Sequence, residues 1–105
     1  MYNVLVTCSA GMSTSMLVQK VAKTAAEQGI DLTIEAVSMN EGKIRVKKHD
    51  YDLLLLGPQV AFMKEELSKA AGDRFPVKII NQKDYGMMRA DNVLQDIIQS
   101  IEGQK

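Results

Sequence analysis

The sequence predicts an α/β fold: an open four-stranded parallel sheet, order 2-1-3-4, with helices on both faces. Three observations lead there. Four short apolar runs alternate with four segments of helical length along 105 residues. The runs "YNVLVT" (Tyr2 to Thr7) and "DLLLLG" (Asp52 to Gly57) are apolar almost throughout, as strands covered on both faces must be. Strand and helix in alternation, joined by right-handed crossovers, give a sheet whose first strand lies near the centre.

The elements follow in order. The first strand is rich in β-branched residues and ends at Cys8. Leu17, Val18, Val21, Ala22 and Ala25 then recur at helical spacing, with Lys20, Lys23 and Glu27 on the other side and Gly29 as the stop. Ile30 to Val37 alternates like a strand, and "SMNE" (Ser38 to Glu41) has the Ser-x-x-Glu form of a capping box that opens a short helix. Gly57 and Pro58 end the third strand. A helix from about Gln59 to Ala71 is expected to turn Phe62, Met63, Leu67 and Ala70 inward. "PVKII" (Pro76 to Ile80) makes the fourth strand, and the last helix carries Val93, Leu94, Ile97, Ile98 and Ile101. There is no internal repeat, linker or low-complexity stretch, so residues 1–105 read as one flavodoxin-like domain.

Composition excludes several functions. Lys plus Arg and Asp plus Glu number 13 each, so no bulk field draws the molecule to nucleic acid or an anionic membrane. One Cys and one His build no structural zinc site and no dithiol pair. No metal or cofactor is expected. A signal pattern and an apolar run of spanning length are both lacking, which makes a reducing cytoplasm the expected compartment.

Sites in such sheets lie beyond the carboxyl ends of the strands. The turns at that edge follow Thr7 and Val37 and include Gly57 to Gln59 and "NQKDYGMM" (Asn81 to Met88). The first of them holds the lone thiol, in "CSAGMSTS" (Cys8 to Ser15). Small residues between a strand and a helix let successive backbone N–H groups converge, and the helix N-terminus adds partial positive charge. Gly11 permits close approach, and Ser9, Ser13, Thr14 and Ser15 offer hydroxyls. The same field stabilises a thiolate, so an anion cradle around Cys8 points to phosphocysteine. A buried Cys is also common as plain packing, but packing does not call for seven small or unbranched residues after it. Neither GxxxxGK[ST] nor GxGxxG is present, which argues against nucleotide binding.

"CSAGMSTSMLV" after a first strand resembles the phosphorylation loop of the enzyme IIB component, lactose/cellobiose/chitobiose type, of the bacterial phosphoenolpyruvate-dependent sugar phosphotransferase system. Length, the four strand–helix units and "DLLLLGPQV" suit that family across the chain. The resemblance implies a cytoplasmic protein-phosphocysteine–sugar phosphotransferase, active transiently at the inner face of the membrane. It would accept a phosphoryl group on Cys8 from a phosphohistidine of enzyme IIA. It would then pass the group to a sugar carried by membrane enzyme IIC, a cellobiose- or chitobiose-like disaccharide. Ser9, Ala10, Gly11, Met12, Ser13, Thr14 and Ser15 would cradle the phosphoryl oxygens. A monomer fits a carrier that must meet two partners in turn.

A similar fold and cysteine loop occur in low-molecular-weight tyrosine phosphatases and arsenate reductases, the enzyme alternative. Their signature places Arg six residues after the Cys, where this chain has Thr14. Between Val4 and Gln19 only Cys8 is ionisable, so no guanidinium fork holds the dianion. A phosphoenzyme without it should hydrolyse slowly and wait for a partner, as a relay requires. A module that binds an anion without turnover is the third reading, and Cys8→Ser separates it from the other two.

Other residues carry weaker signals. Asp84 sits at the correct edge for a general acid but reads more simply as a solvated loop carboxylate. His49, in "KKHDYD", falls at the opposite edge. The run Lys43 to Lys48 reads as a solvated helix face, able to help dock an acidic partner. Among the seven methionines, Met12, Met16, Met87 and Met88 cluster at the Cys8 edge, where adaptable contacts suit two partners. Met12, Gln59 and Tyr85 are the expected rim of the docking face.

Overall fold

In the computed structural model, which describes residues 2–8 and 12–103, the apolar runs become strands in the expected order. The elements are β1 (Tyr2–Cys8), α1 (Met12–Glu27), β2 (Leu32–Ser38), α2 (Met39–Lys48), β3 (Leu53–Leu56), a 3₁₀ segment (Pro58–Met63), α3 (Lys64–Ala71), β4 (Val77–Ile79), α4 (Gln82–Gly86) and α5 (Ala90–Glu102). The sheet order is β2-β1-β3-β4, with every pairing parallel. β1 is central: Tyr2 to Cys8 pair with Leu32 to Ser38 on one side, and Val4 to Thr7 with Leu53 to Leu56 on the other.

Period-2 alternation divides these strands between two cores. Val4, Val6, Leu53 and Leu55 face the stripe Leu17, Val21 and Ala25 of α1 and Val93, Leu94, Ile97 and Ile101 of α5. Leu5, Leu54 and Leu56 face the opposite way, onto Val46 of α2 and Leu67 and Ala71 of α3. Burial on both faces explains why β1 and β3 are continuous apolar runs. Edge strand β2 alternates instead, with Leu32, Ile34 and Ala36 half-buried and Thr33 and Glu35 exposed.

Half of the capping box forms. The Glu41 N–H donates to Ser38 Oγ at 3.2 Å, but the Glu41 carboxylate accepts from Arg45 Nε at 3.1 Å instead of returning to Ser38. One turn on, Gly42 is buried where α2 crosses β1, and a β-carbon there would lie 2.8 Å from Thr7 Oγ1. Thr7 is 0% exposed, and its own Cβ would lie 3.0 Å from the added carbon, a contact that rotating the side chain does not relieve. Alanine normally stabilises a helix by about 1 kcal/mol over glycine. Here the overpacking cost, about 1–3 kcal/mol, reverses the sign. Gly42→Ala is therefore expected to lower the urea midpoint of unfolding.

Two expectations need correction. The segment after β3 is not one helix from Gln59: it runs as 3₁₀ to Met63, with Val60 off helical geometry (φ −115°), before α3 begins. The tighter turn changes which side chains face inward. Val60 is buried, and Phe62, expected inward, is 78% exposed. The second concerns Asn81 to Met88, which is more than a loop, because it contains α4. The Asn81 side chain caps that helix, accepting from the N–H groups of Lys83 (2.9 Å) and Asp84 (3.1 Å). No helix of the described residues is long and apolar enough to cross a membrane.

Candidate functional site

Adjacent strands β1 and β3 send the chain to opposite faces of the sheet, β1 into α1 and β3 into α3, and a crevice opens between their carboxyl ends. Cys8 is the last residue of β1 and sits at this point, 5% exposed. Its neighbour is Gly57, the residue just after β3, whose N–H extends the ladder to Thr7 O at 3.0 Å. A β-carbon on Gly57 would lie 3.0 Å from Cys8 Cβ and 3.0 Å from Gln59 Oε1. The Cys8 side chain and the Gln59 carboxamide thus flank one small space, open only because residue 57 has no side chain.

The second wall comes from α4. Tyr85 packs its ring against the α1/α5 core, and its hydroxyl lies 2.8 Å from Thr14 Oγ1 in the first turn of α1. Pro58, Gln59, Gln82, Tyr85 and Gly86 line a cleft of about 360 Å³ between the 3₁₀ segment and α4. Gln59 and Tyr85, expected to rim one face, do share this cleft. Asp84 is tied down: its carboxylate accepts from Asn92 Nδ2 at 3.1 Å and its carbonyl from the Arg89 N–H at 2.8 Å, which pins α4 to α5. The carboxylate remains partly exposed, and these two bonds give Asp84 a structural role between the two helices. Met88, at φ +53°, turns the chain from α4 toward α5.

Several predicted residues fall elsewhere. Ser9, Ala10 and Gly11, and the side chains of Met12 and Ser13, lie outside the described residues. Thr14 is buried and Ser15 exposed. His49 is exposed beyond the carboxyl end of α2, at the edge opposite Cys8, and its carbonyl accepts from Arg74 Nη1 at 3.4 Å. The Lys43 to Lys48 run is only partly a solvated face. Val46 is fully buried, Arg45 pairs with Glu35 (2.6 Å) and Glu41 (3.1 Å), and Lys43 pairs with Glu66 at 3.2 Å. Hydrogen bonds donated by the Arg45 guanidinium to Glu35 first, then to Glu41, hold it above its ordinary pKa. The Tyr2 hydroxyl is raised likewise by its bond to Glu102, at the other end of β1 from Cys8. Met16 and Met87 are exposed, whereas Met88 is half-buried against the core. The residues whose roles sequence reasoning missed are Gly57, read as a strand stop and a turn residue at this edge, and Asn81, the α4 cap; an Asn before a short polar stretch was the available signal.

Comparison with known proteins adds independent findings. The family described as "PTS system, Lactose/Cellobiose specific IIB subunit" matches residues 3–96. The chain is similar to the PTS system galactose-specific EIIB component of Lactococcus lactis subsp. cremoris, 51% identical over 94 residues, covering 83% of this chain and 84% of that one. It is similar also to the PTS system cellobiose-specific EIIB component of Lactococcus lactis subsp. lactis, 50% identical over 94 residues with the same coverage. Among solved structures, the cellobiose-specific phosphotransferase IIB component from Borrelia burgdorferi superimposes with a TM-score of 0.75 at 40% identity, covering 97% of this chain and 93% of that one.

Proposed function

The chain belongs to the lactose/cellobiose-specific IIB subunits of the sugar phosphotransferase system, and from that premise we propose that Cys8 is its phosphoryl carrier. IIB components of this family serve phosphoryl transfer in sugar uptake, alongside IIA and IIC components. The observation that carries the finer reading is the position of Cys8: the end of the central strand, at the crevice, four residues before α1 begins.

In the loading step the Cys8 thiolate attacks the phosphorus of an N-phosphohistidine on enzyme IIA. The S–P bond forms as the P–N bond breaks, and the imidazole nitrogen keeps the bonding pair. In the unloading step a hydroxyl oxygen of a sugar held by membrane enzyme IIC attacks the same phosphorus. The S–P bond breaks, sulfur leaves as thiolate, and the hydroxyl proton goes to a base on the acceptor side. Between the two, the backbone amides and hydroxyls of residues 9–15 carry the dianion, with Ser9, Ala10, Gly11, Met12, Ser13, Thr14 and Ser15 as the cradle. With no arginine among them, water attack on the S–P bond gains little stabilisation, and the phosphoryl group waits for its acceptor.

The acceptor is a β-linked disaccharide of the cellobiose or chitobiose kind. Near-equal likeness to a galactose-specific and a cellobiose-specific component fits a carrier whose sugar is chosen chiefly by IIC. It works as a monomer at the cytoplasmic face of the membrane, with Met12, Gln59 and Tyr85 at the docking rim. The test is a load-and-chase by intact mass. One phosphoryl group should add with phosphorylated IIA and persist until IIC vesicles and sugar are supplied. Hydrolysis without an acceptor would overturn the reading.

Gly57→Ala should show how closely the thiol is placed. Its backbone (φ −62°, ψ 150°) accepts alanine, so the effect is purely steric, a displacement of Cys8 by a few tenths of an ångström. Loading is expected to slow roughly tenfold, since misplacement of about 1 Å costs on the order of a hundredfold. Stopped-flow transfer from phosphorylated IIA, with the melting curve as control, measures it.

A further inference from the structure

We propose that Tyr85 is a positioning residue for phosphoryl transfer, acting through Thr14, whose hydroxyl it orients toward the anion held on Cys8. The inference rests on the phosphocysteine reading above and assigns that site a residue from outside its loop.

The two hydroxyls lie 2.8 Å apart and can share only one hydrogen. A phenolic O–H is the stronger donor of the pair, and a threonine hydroxyl accepts readily while keeping its own hydrogen free. Either hydroxyl can donate across this contact; with Tyr85 as the donor, as proposed, the Thr14 hydrogen is left free for another acceptor. Thr14 is 1% exposed, so its hydroxyl has little water to bond. It occupies the first turn of α1, where backbone N–H groups are also without helical acceptors. An anion at this helix start collects both kinds of donor, and a hydroxyl that accepts one hydrogen bond is polarised to donate another more strongly.

Tyr85 is rigid enough for the task. Its ring packs on the α1/α5 core, and α4 is fixed by the Asn81 cap before it and by Asp84 bonding to Asn92 and Arg89 after it. The pair joins residues 71 positions apart, which couples the loop after β4 to the start of α1.

The experiment measures the loading rate from phosphorylated IIA and the ³¹P resonance of the phosphocysteine across pH, for wild type, Tyr85→Phe, Thr14→Val, Thr14→Ser and the Tyr85→Phe/Thr14→Val double variant. Tyr85→Phe is expected to load about tenfold more slowly, the loss of roughly one hydrogen bond's worth of stabilisation. Its phosphocysteine should titrate at higher pH, because a donor to the charged form is gone. Thr14→Val should show both changes at least as strongly, Thr14→Ser should stay near wild type, and the double variant should be no worse than Thr14→Val. Wild-type rate and titration in Tyr85→Phe would overturn the proposal while leaving the carrier reading intact. So would losses that multiply in the double variant. If Tyr85→Phe does not fold, Thr14→Val and Thr14→Ser decide: equal titrations in the two overturn the proposal. Failure of wild type to form any phosphocysteine would overturn the carrier reading and this proposal together.

Discussion

Cys8→Ser is expected to abolish phosphoryl acceptance while leaving the fold in place. A serine hydroxyl is almost wholly protonated at neutral pH and has no general base beside it in the sequence from Val4 to Gln19. Removing the nucleophile from a covalent catalyst costs on the order of 10⁶-fold, so the variant should show no adduct on any practical timescale. Oxygen is smaller than sulfur and polar, and residue 8 is nearly buried, so stability should fall by about 1 kcal/mol. Circular dichroism and melting would establish the fold, and intact mass after exposure to phosphorylated IIA would read the acceptance. A normally phosphorylated variant would remove Cys8 from the mechanism.

Leu5→Ala should produce the largest loss of stability. Leu5 is 0% exposed in the central strand, three residues before Cys8, and belongs to the core formed with Val46, Leu54, Leu56, Val60 and Leu67. Truncating a leucine so enclosed removes its transfer free energy and leaves a cavity that neighbouring strands on both sides keep from collapsing. The cost is about 3–4 kcal/mol. A domain of this size has roughly 5–15 kcal/mol in all, so a large share of its stability goes with one side chain. Urea unfolding should show a much lower midpoint at unchanged slope. Ile44→Ala, at a position half exposed on α2, should change stability by no more than about 0.5 kcal/mol.

Much of this architecture was legible because it depends on period and local chemistry. A continuous apolar β1 and β3 and an alternating β2 announce which strands are covered twice and which lies at the edge. Small residues after a thiol at a strand end are the signal on which the proposed anion site rests. Phe62 escaped because the signal that misplaced it, helical spacing, presumes 3.6 residues per turn where the Gly57–Pro58 turn starts a tighter coil. Gly57 escaped for a different reason. Its importance comes from a cross-strand neighbour, Cys8, which no spacing along the chain reveals. The Thr14–Tyr85 pair is likewise a product of topology: the alternating fold brings the turn after β4 beside the start of α1, and only then do two ordinary hydroxyls meet.

The most direct test of the central claim is to locate the phosphoryl group in the loaded wild-type chain by peptide fragmentation under conditions that preserve S–P and N–P bonds. The account predicts one phosphoryl group, on Cys8. A phosphoryl group on His49, at the opposite edge of the sheet, or on any other residue would contradict it.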